Sequence, residues 1–359
     1  MRKPTNTKFY SKLLGELPKG CQMCVKGEKL VLYITGICPR KCWYCPLSEK
    51  RKNKDVIFVN EWQTNSQKDL IQEVKLCQSK GAGITGGDPL SKLDRTTQYI
   101  KLLKKEFGKK FHIHLYTSFE LVTKENLQKL YDSGLDEIRF HPNLSDKKLW
   151  NKINIANEFK WDVGVEIPCI PKLEKETFEL TDFLEGKIKF LNLNEFEISD
   201  LNSEEMTAQG YEMTSDISHA ISGSLELGEK ILKYCGNKSF SVHFCSSKLK
   251  DKVQMQNRFK LRAESIKTKF DIITEEGLLL RGIIELREKR LESRDLNYWA
   301  EFLEEEGLEI FIDENKNRLI TYPEHVEQFA DILKDLGLIP SIIEEDPTVE
   351  AFIVNRDYL

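Results

Sequence analysis

Histidine is scarce in this chain, at 6 of 359 residues, and no apolar run approaches the ~20 residues of a bilayer span. No membrane partner is therefore expected. The opening stretch, MRKPTNTKFYSKLLGELPKG, lacks the apolar centre of a secretory signal, so the expected compartment is the cytoplasm. A surplus of positive charge is missing too. Lys and Arg number 54 against 58 Asp and Glu, a net of −4, far from the balance of a dedicated nucleic-acid binder. There is no internal repeat or low-complexity tract. A chain this long, 40% hydrophobic, buries a core without disulfide staples. Its nine cysteines, kept reduced in that compartment, are read as metal ligands or catalytic thiols wherever they cluster.

Charge is segregated along the chain. Residues 301–359 hold 16 acidic and 4 basic residues, a net of −12, which leaves residues 1–300 at +8. Residues 28–200 read as strands alternating with helices. β-rich runs at 29–36, 83–85, 111–117, 136–141, 163–167 and 190–198 are separated by helical patterns at 64–81, 91–107, 124–133, 147–158 and 176–185. Right-handed crossovers make six such strands parallel, in a doubly wound sheet or a full or partial barrel, with the site at their carboxyl ends.

From about residue 270 the rhythm becomes βαββαβ, the ferredoxin-like order. Its strands are expected at 271–285, 308–313, 318–322 and 339–344, with another at 350–355, and its helices at 294–306 and 324–336. A basic amphipathic stretch, residues 248–269, precedes it. The fold class is thus α/β, with a small C-terminal α+β domain. The division is 1–27, an extension carrying Cys21 and Cys24; 28–250, the core; 251–269, a basic connecting helix; and 270–359, an acidic domain.

Directly after the first strand stand Cys38, Cys42 and Cys45, a C-x3-C-x2-C spacing in a loop. Three thiolates leave one coordination position open, either on a single metal ion or on one iron of an iron–sulfur cube. Zinc with a fourth ligand from elsewhere remains the alternative on spacing alone. Cys38, Cys42, Tyr44 and Cys45 match the CxxxCxφC signature of the radical S-adenosylmethionine (radical SAM) superfamily, with Tyr44 at the aromatic position. Gly86, Gly87, Asp88 and Pro89, at the end of the second strand, resemble its GGEP motif with Asp for Glu. The stretch GCQMCVKGEKLVLYITGICPRKCWYCPL resembles radical SAM proteins related to pyruvate formate-lyase-activating enzymes.

That resemblance implies a partial (β/α)6 TIM-like barrel and a 4Fe-4S cluster held by Cys38, Cys42 and Cys45. It also implies S-adenosylmethionine chelated at the free iron and cleaved by an external electron donor to a 5′-deoxyadenosyl radical, which abstracts hydrogen from a substrate. Tyr44 is then expected against the adenine, and the backbone of Gly86, Gly87, Asp88 and Pro89 at the ammonium group. From their positions at strand ends, Thr117 and Ser118 are further cofactor candidates, with Arg139, His141, Glu166, Asn194 and Glu195 behind them. The enzyme class is oxidoreductase or transferase. The extra C-terminal domain argues for a substrate other than a glycyl-radical enzyme, be it a small molecule, a peptide or RNA.

Cys21, Cys24 and Cys245 are candidate ligands for an auxiliary iron–sulfur or zinc site, against a reading as buried free thiols. Cys77 and Cys169 read as structural. His112 and His114 alternate with apolar residues and share one strand face, where a buried, satisfied pair is expected. An RNA-modifying enzyme would use Lys50, Arg51, Lys52 and Lys54 with the stretch 248–269 on phosphate. The acidic terminal domain would repel phosphate, so it is expected to contact protein, act as a lid or select substrate. A non-catalytic zinc- or cluster-binding scaffold is the remaining alternative.

Overall fold

Parallel strands buried on both faces normally read as continuous apolar runs, whereas those of this chain alternate. His112-Ile113-His114-Leu115, Ile138-Arg139-Phe140 and Leu191-Asn192-Leu193-Asn194 each place every second residue in apolar surroundings. The period of two requires a sheet with one apolar face under helices and one polar face turned to an interior. A computed structural model, which describes residues 1–199, 201–215, 218–286 and 296–359, has that arrangement.

Seven parallel strands form the sheet, in the spatial order β7-β6-β5-β4-β3-β2-β1. They are β1 (Lys29–Tyr33), β2 (Gly81–Thr85), β3 (His112–Thr117), β4 (Glu137–Phe140), β5 (Asp162–Cys169), β6 (Phe190–Glu195) and β7 (Ser241–Cys245). The six expected strands are all present, and β7 adds a seventh where six were expected. β1 and β7 do not pair with each other. β1 is flanked by the antiparallel strand Phe58–Val59, and β7 by Lys12–Leu14 of an N-terminal hairpin, so the barrel stays open.

Helix α1 (Lys19–Cys24) contacts the starts of β2 and β3, at the end opposite the strand carboxyl termini. Its Met23 thioether fills the space beside Gly81, where a Cβ would come within 2.7 Å of the sulfur. Helices α2 (Gln67–Leu76), α3 (Leu93–Phe107), α4 (Lys124–Asp132), α5 (Glu174–Phe183) and α6 (Ser224–Tyr234) carry five of the six crossovers, and β4 reaches β5 through a 3-10 stretch (Lys147–Lys152) and a short helix (Ile153–Ala156). The α3 stripe of Thr96, Tyr99, Ile100 and Leu103 follows the helical period and is buried; Ile100 and Leu103 each contribute roughly 1.5–3 kcal/mol. Ser66 and Thr123 cap α2 and α4 by accepting from the amides of Asp69 and Asn126. The helix expected to run to Gly81 stops at Leu76. Gln78 takes the left-handed turn (φ 49°), and Gly81 opens β2.

Contacts divide the chain into two compact units, residues 1–255 and 256–359. The basic stretch is not one helix. It comprises a short helix (Ser247–Leu249), a π-helical stretch (Lys250–Met255) and α7 (Gln256–Ile266), which clusters with the second unit. The second unit holds β8 (Leu279–Leu286), α8 (Leu296–Glu305), β9 (Phe311–Asp313), β10 (Arg318–Thr321), β11 (Leu338–Glu345) and β12 (Ile353–Tyr358). The expected start of its first helix, at residues 294–295, lies outside the described residues. Sheet order β9-β10-β8-β11-β12 is antiparallel throughout, so β10 lies between the two strands joined through α8, a split arrangement. β12 extends the edge.

Candidate active site

The loop after β1 is closed at its neck by backbone alone. Gly36 donates its amide to Lys54 O (2.7 Å) and accepts from the amide of Asn53 (3.1 Å). Asp55 then accepts from Thr35 Oγ1 (2.8 Å) and pairs with Arg95 and Lys92, which pins the loop's exit to its entry. Arg51 lays its guanidinium over the Phe58 ring at 4.3 Å. Within the loop, Cys38, Cys42 and Cys45 are half-buried free thiols. Arg40 donates its amide to Cys38 Sγ (3.4 Å), and Cys45 donates to Cys42 O (3.2 Å). Burial pushes the Cys38 thiol up to about 11 and raises Cys42 as well, so a bound cation must supply the charge that makes them thiolates.

The three sulfurs do not all lie within 4.8 Å of one another. A single tetrahedral zinc, with Zn–S bonds of about 2.3 Å, brings its thiolates to ~3.8 Å. A four-iron cube, which takes each thiolate on a different iron, spaces them more widely and suits this donor set.

Beside the loop, Gly87 donates to Thr35 O (2.7 Å) and Asp88 to Ile37 O (2.9 Å). This contact explains the double glycine. A Cβ on Gly86 would sit 2.4 Å from Thr35 O, and one on Gly87 2.5 Å from Ile37 O. Asp88 is buried and turned away from the loop. It accepts from the Leu90 amide, from Thr117 Oγ1 (2.8 Å) and from the amide and hydroxyl of Ser118. Thr117 and Ser118 border the cavity, but their hydroxyl protons point at Asp88, which makes them supports of the turn. Burial raises the Asp88 pKa, against the pull of these donors.

Tyr44 is fixed through a chain of hydrogen bonds. His141 Nδ1 donates to the Glu166 carbonyl (2.9 Å), which leaves Nε2 to accept from the Tyr44 hydroxyl (3.0 Å). Burial, then the Arg40 charge, lowers the His141 pKa to about 4 and keeps the ring neutral. Trp43 stacks on Tyr211 in an adjoining cluster with Phe196.

The thiols and glycines border a cavity of about 770 Å³ that continues into the barrel past Tyr116, Arg139, Glu166 and Asn194 to Lys29. Arg139 donates to Glu137 Oε1 (2.5 Å), Glu166 Oε2 (2.8 Å) and the Tyr116 hydroxyl (3.2 Å). Glu166 also accepts from Asn192 (2.9 Å) and Asn194 (3.0 Å). Burial raises the Glu166 pKa, but Arg139 and the two amides outweigh it and hold it down to about 2. Its ionised form therefore stabilises the fold fully above about 4.5, and that share is lost as pH falls toward 2. Urea midpoints of the parent are expected to drop across this window, and Glu166→Gln to show a shallower drop; equal slopes would remove Glu166 from the acid limb.

Glu195 does not border the cavity; it accepts from the amide and hydroxyl of Ser247. The candidate auxiliary ligands Cys21 and Cys24 are buried and Cys245 is half-buried, all three as free thiols. Cys21, Cys24 and Cys245 do not all lie within 4.8 Å of one another, and Cys21 Sγ accepts from Asn192 (3.3 Å) and Arg139 (3.6 Å). Burial pushes the Cys21 thiol up to about 11. Several of the basic residues offered to RNA are paired or buried. Lys250 meets Glu197, Lys267 meets Glu264, Lys269 meets Glu309, and Arg258 and Arg262 are buried. Gly36, Arg40, Tyr116 and Lys29 escaped the sequence reading. Lys29 and Tyr116 were accessible to it through the same alternation that exposed His112 and His114.

Among the described residues no helix is long and apolar enough to cross a membrane. The family model for the radical SAM superfamily matches residues 32–163. A Methanocaldococcus jannaschii protein, provisionally named a glycyl-radical enzyme activating enzyme, is 47% identical over 363 residues, which cover 97% of this chain and 94% of that one. The anaerobic ribonucleoside-triphosphate reductase-activating protein of Enterobacteria phage T4 is 28% identical over 127 residues, covering 34% of this chain and 78% of that protein. Among solved structures, methylornithine synthase matches with a TM-score of 0.41 at 12% identity, over 78% of this chain and 82% of that one. Sequence motif, loop geometry and a relative matched along nearly its whole length converge, and the chain belongs to the radical SAM superfamily of enzymes, whose cofactors are a 4Fe-4S cluster and S-adenosylmethionine.

Proposed function

We propose that this chain cleaves S-adenosylmethionine reductively at a 4Fe-4S cluster held by Cys38, Cys42 and Cys45, fed by an external one-electron donor, and directs hydrogen abstraction at a polar substrate in the barrel cavity. The observation that carries this reading is the convergence of three half-buried thiols on a cavity lined by Arg139 and Glu166. When bound, the reduced cluster supplies the electron that breaks the sulfonium carbon–sulfur bond, giving methionine and a 5′-deoxyadenosyl radical that takes a hydrogen atom from the substrate.

The chain's own residues hold that chemistry in place. The three thiols lose their protons on ligation, while the closed neck at Gly36 keeps their loop against the barrel rim. Close approach of Gly86 and Gly87 to Thr35 and Ile37 sets the backbone that would receive the cofactor's ammonium group, and Asp88 holds that turn through Thr117 and Ser118. Tyr44, oriented by His141, would border the adenine. The hydrogen donor is a peptide segment of a partner protein. Arg139, Glu166 and Asn194 on the cavity wall offer partners for its polar groups, and the names of the archaeal and phage relatives describe activation of an enzyme. The C-terminal unit does not oppose a protein substrate, because the archaeal relative matches 97% of this chain.

The test is an anaerobic assay of cluster-reconstituted protein with dithionite and S-adenosylmethionine, following 5′-deoxyadenosine. The parent is expected to be brown, with absorbance near ~400 nm, and to form product. The Cys38→Ala/Cys42→Ala/Cys45→Ala variant is expected to lose both. A colourless parent carrying stoichiometric zinc, or undiminished product from the variant, would overturn the reading.

A further inference from the structure

Strand periodicity puts His112 and His114 on the inward face of β3, and the β3–β4 register sets His114 directly beside Glu137. All three side chains are buried, at 5%, 0% and 0% exposure, and none borders the cavity that receives the cofactors. The sequence predicts a satisfied histidine pair here, and the structure departs from it. His112 Nε2, His114 Nδ1 and Glu137 Oε2 have no hydrogen-bond partner among the described residues. Orphaned donors and acceptors on three adjacent buried side chains are costly, at roughly 1–3 kcal/mol each, unless something absent from the protein atoms meets them.

Geometry identifies that occupant. One ligand atom from each of the three residues lies within 4.8 Å of the other two, the only such set among the described residues. His112 Nε2 and Glu137 Oε2 stand 3.4 Å apart without hydrogen bonding. Two ligands at about 2.0–2.1 Å from one tetrahedral ion lie ~3.3 Å apart. The surroundings match an outer shell of supporting hydrogen bonds. Arg139 Nε holds the other Glu137 oxygen (2.5 Å), and the Tyr116 hydroxyl lies 3.4 Å from His114 Nε2. We propose that His112, His114 and Glu137 form a buried site for a divalent cation, zinc by its donor set, which ties β3 to β4 beneath the catalytic cavity and is independent of the three loop cysteines.

The Arg139 charge is itself shared between Glu137 and Glu166, which limits its repulsion of an ion.

Zinc counting on the full chain tests the proposal. The Cys38→Ala/Cys42→Ala/Cys45→Ala variant, loaded with zinc and desalted, is expected to retain close to one equivalent by mass spectrometry. Adding His112→Gln or Glu137→Gln is expected to remove it. In the same variant cobalt(II) is expected to give visible d–d bands with no sulfur-to-metal charge-transfer band, a readout that stands even if the histidine variants fail to fold. No retained zinc would overturn the proposal and leave the orphaned atoms to a buried water. Zinc that survives His112→Gln, zinc lost with Cys24→Ser, or a sulfur charge-transfer band would each overturn it as well.

Discussion

Alanine at Gly36 is expected to remove both the ~400 nm absorbance of the reconstituted protein and its formation of 5′-deoxyadenosine. The added Cβ would lie 1.7 Å from the carbonyl oxygen of Arg51 and 2.7 Å from that of Lys54. Both contacts are with backbone, so no side chain can swing aside. Relief requires opening the neck, which breaks the bonds from Gly36 to Lys54 and from Asn53 to Gly36. Because Gly36 does not have a positive φ, the objection to a side chain is one of space alone. A displacement of about 1 Å at reacting groups costs roughly 100-fold in rate, and the three thiols sit on the displaced segment. The measurement is product per iron bound, with far-ultraviolet circular dichroism to verify that the barrel persists. Parental cluster content and rate in Gly36→Ala would show that the neck does not hold the thiols.

Removal of the Arg139 charge is expected to destabilise the fold by about 3–5 kcal/mol, the cost of breaking a buried ion pair from one side. In Arg139→Met, Glu137 loses the 2.5 Å partner of Oε1 and Glu166 the 2.8 Å partner of Oε2, both within the barrel interior. The methionine fills space but supplies no charge, so the two carboxylates face each other's field without the guanidinium that joins them. Urea unfolding measures the loss. A second Glu137→Gln change is expected to restore part of it, because the neutral amide no longer needs the cation, and the coupling in that cycle reports the pair directly. If Arg139→Met unfolds at the parental urea concentration, the network contributes nothing net.

Much of this molecule is legible in its sequence. The positions of β1 to β6 followed from apolar runs of strand length broken by helical periods. Cys38, Cys42 and Cys45 stood out because ligands close in sequence are close in space whatever the fold. Gly86 and Gly87 were also visible, though the reason for them was not: it is the nearness of Thr35 and Ile37, fifty residues away in the chain. The seventh strand was missed because Ser241–Cys245 follows a long connection from β6 and is defined by its pairing with β6 and with Lys12–Leu14. Asp88 read as part of a cofactor motif, while the structure turns its carboxylate to Thr117 and Ser118, a choice made by the register of β3 beside β2.

Sequence alone determined the alternating strands and the local ligand cluster, since periodicity and short loops depend only on nearby residues. Tertiary structure decided which buried polar groups meet. Arg139 joins Glu166 on the next strand, and His114 joins Glu137 across the β3–β4 register. Side-chain satisfaction in a barrel interior is a matter of cross-strand neighbours, whose identities are set by strand order and register, and these take their energy from contacts far apart in the chain.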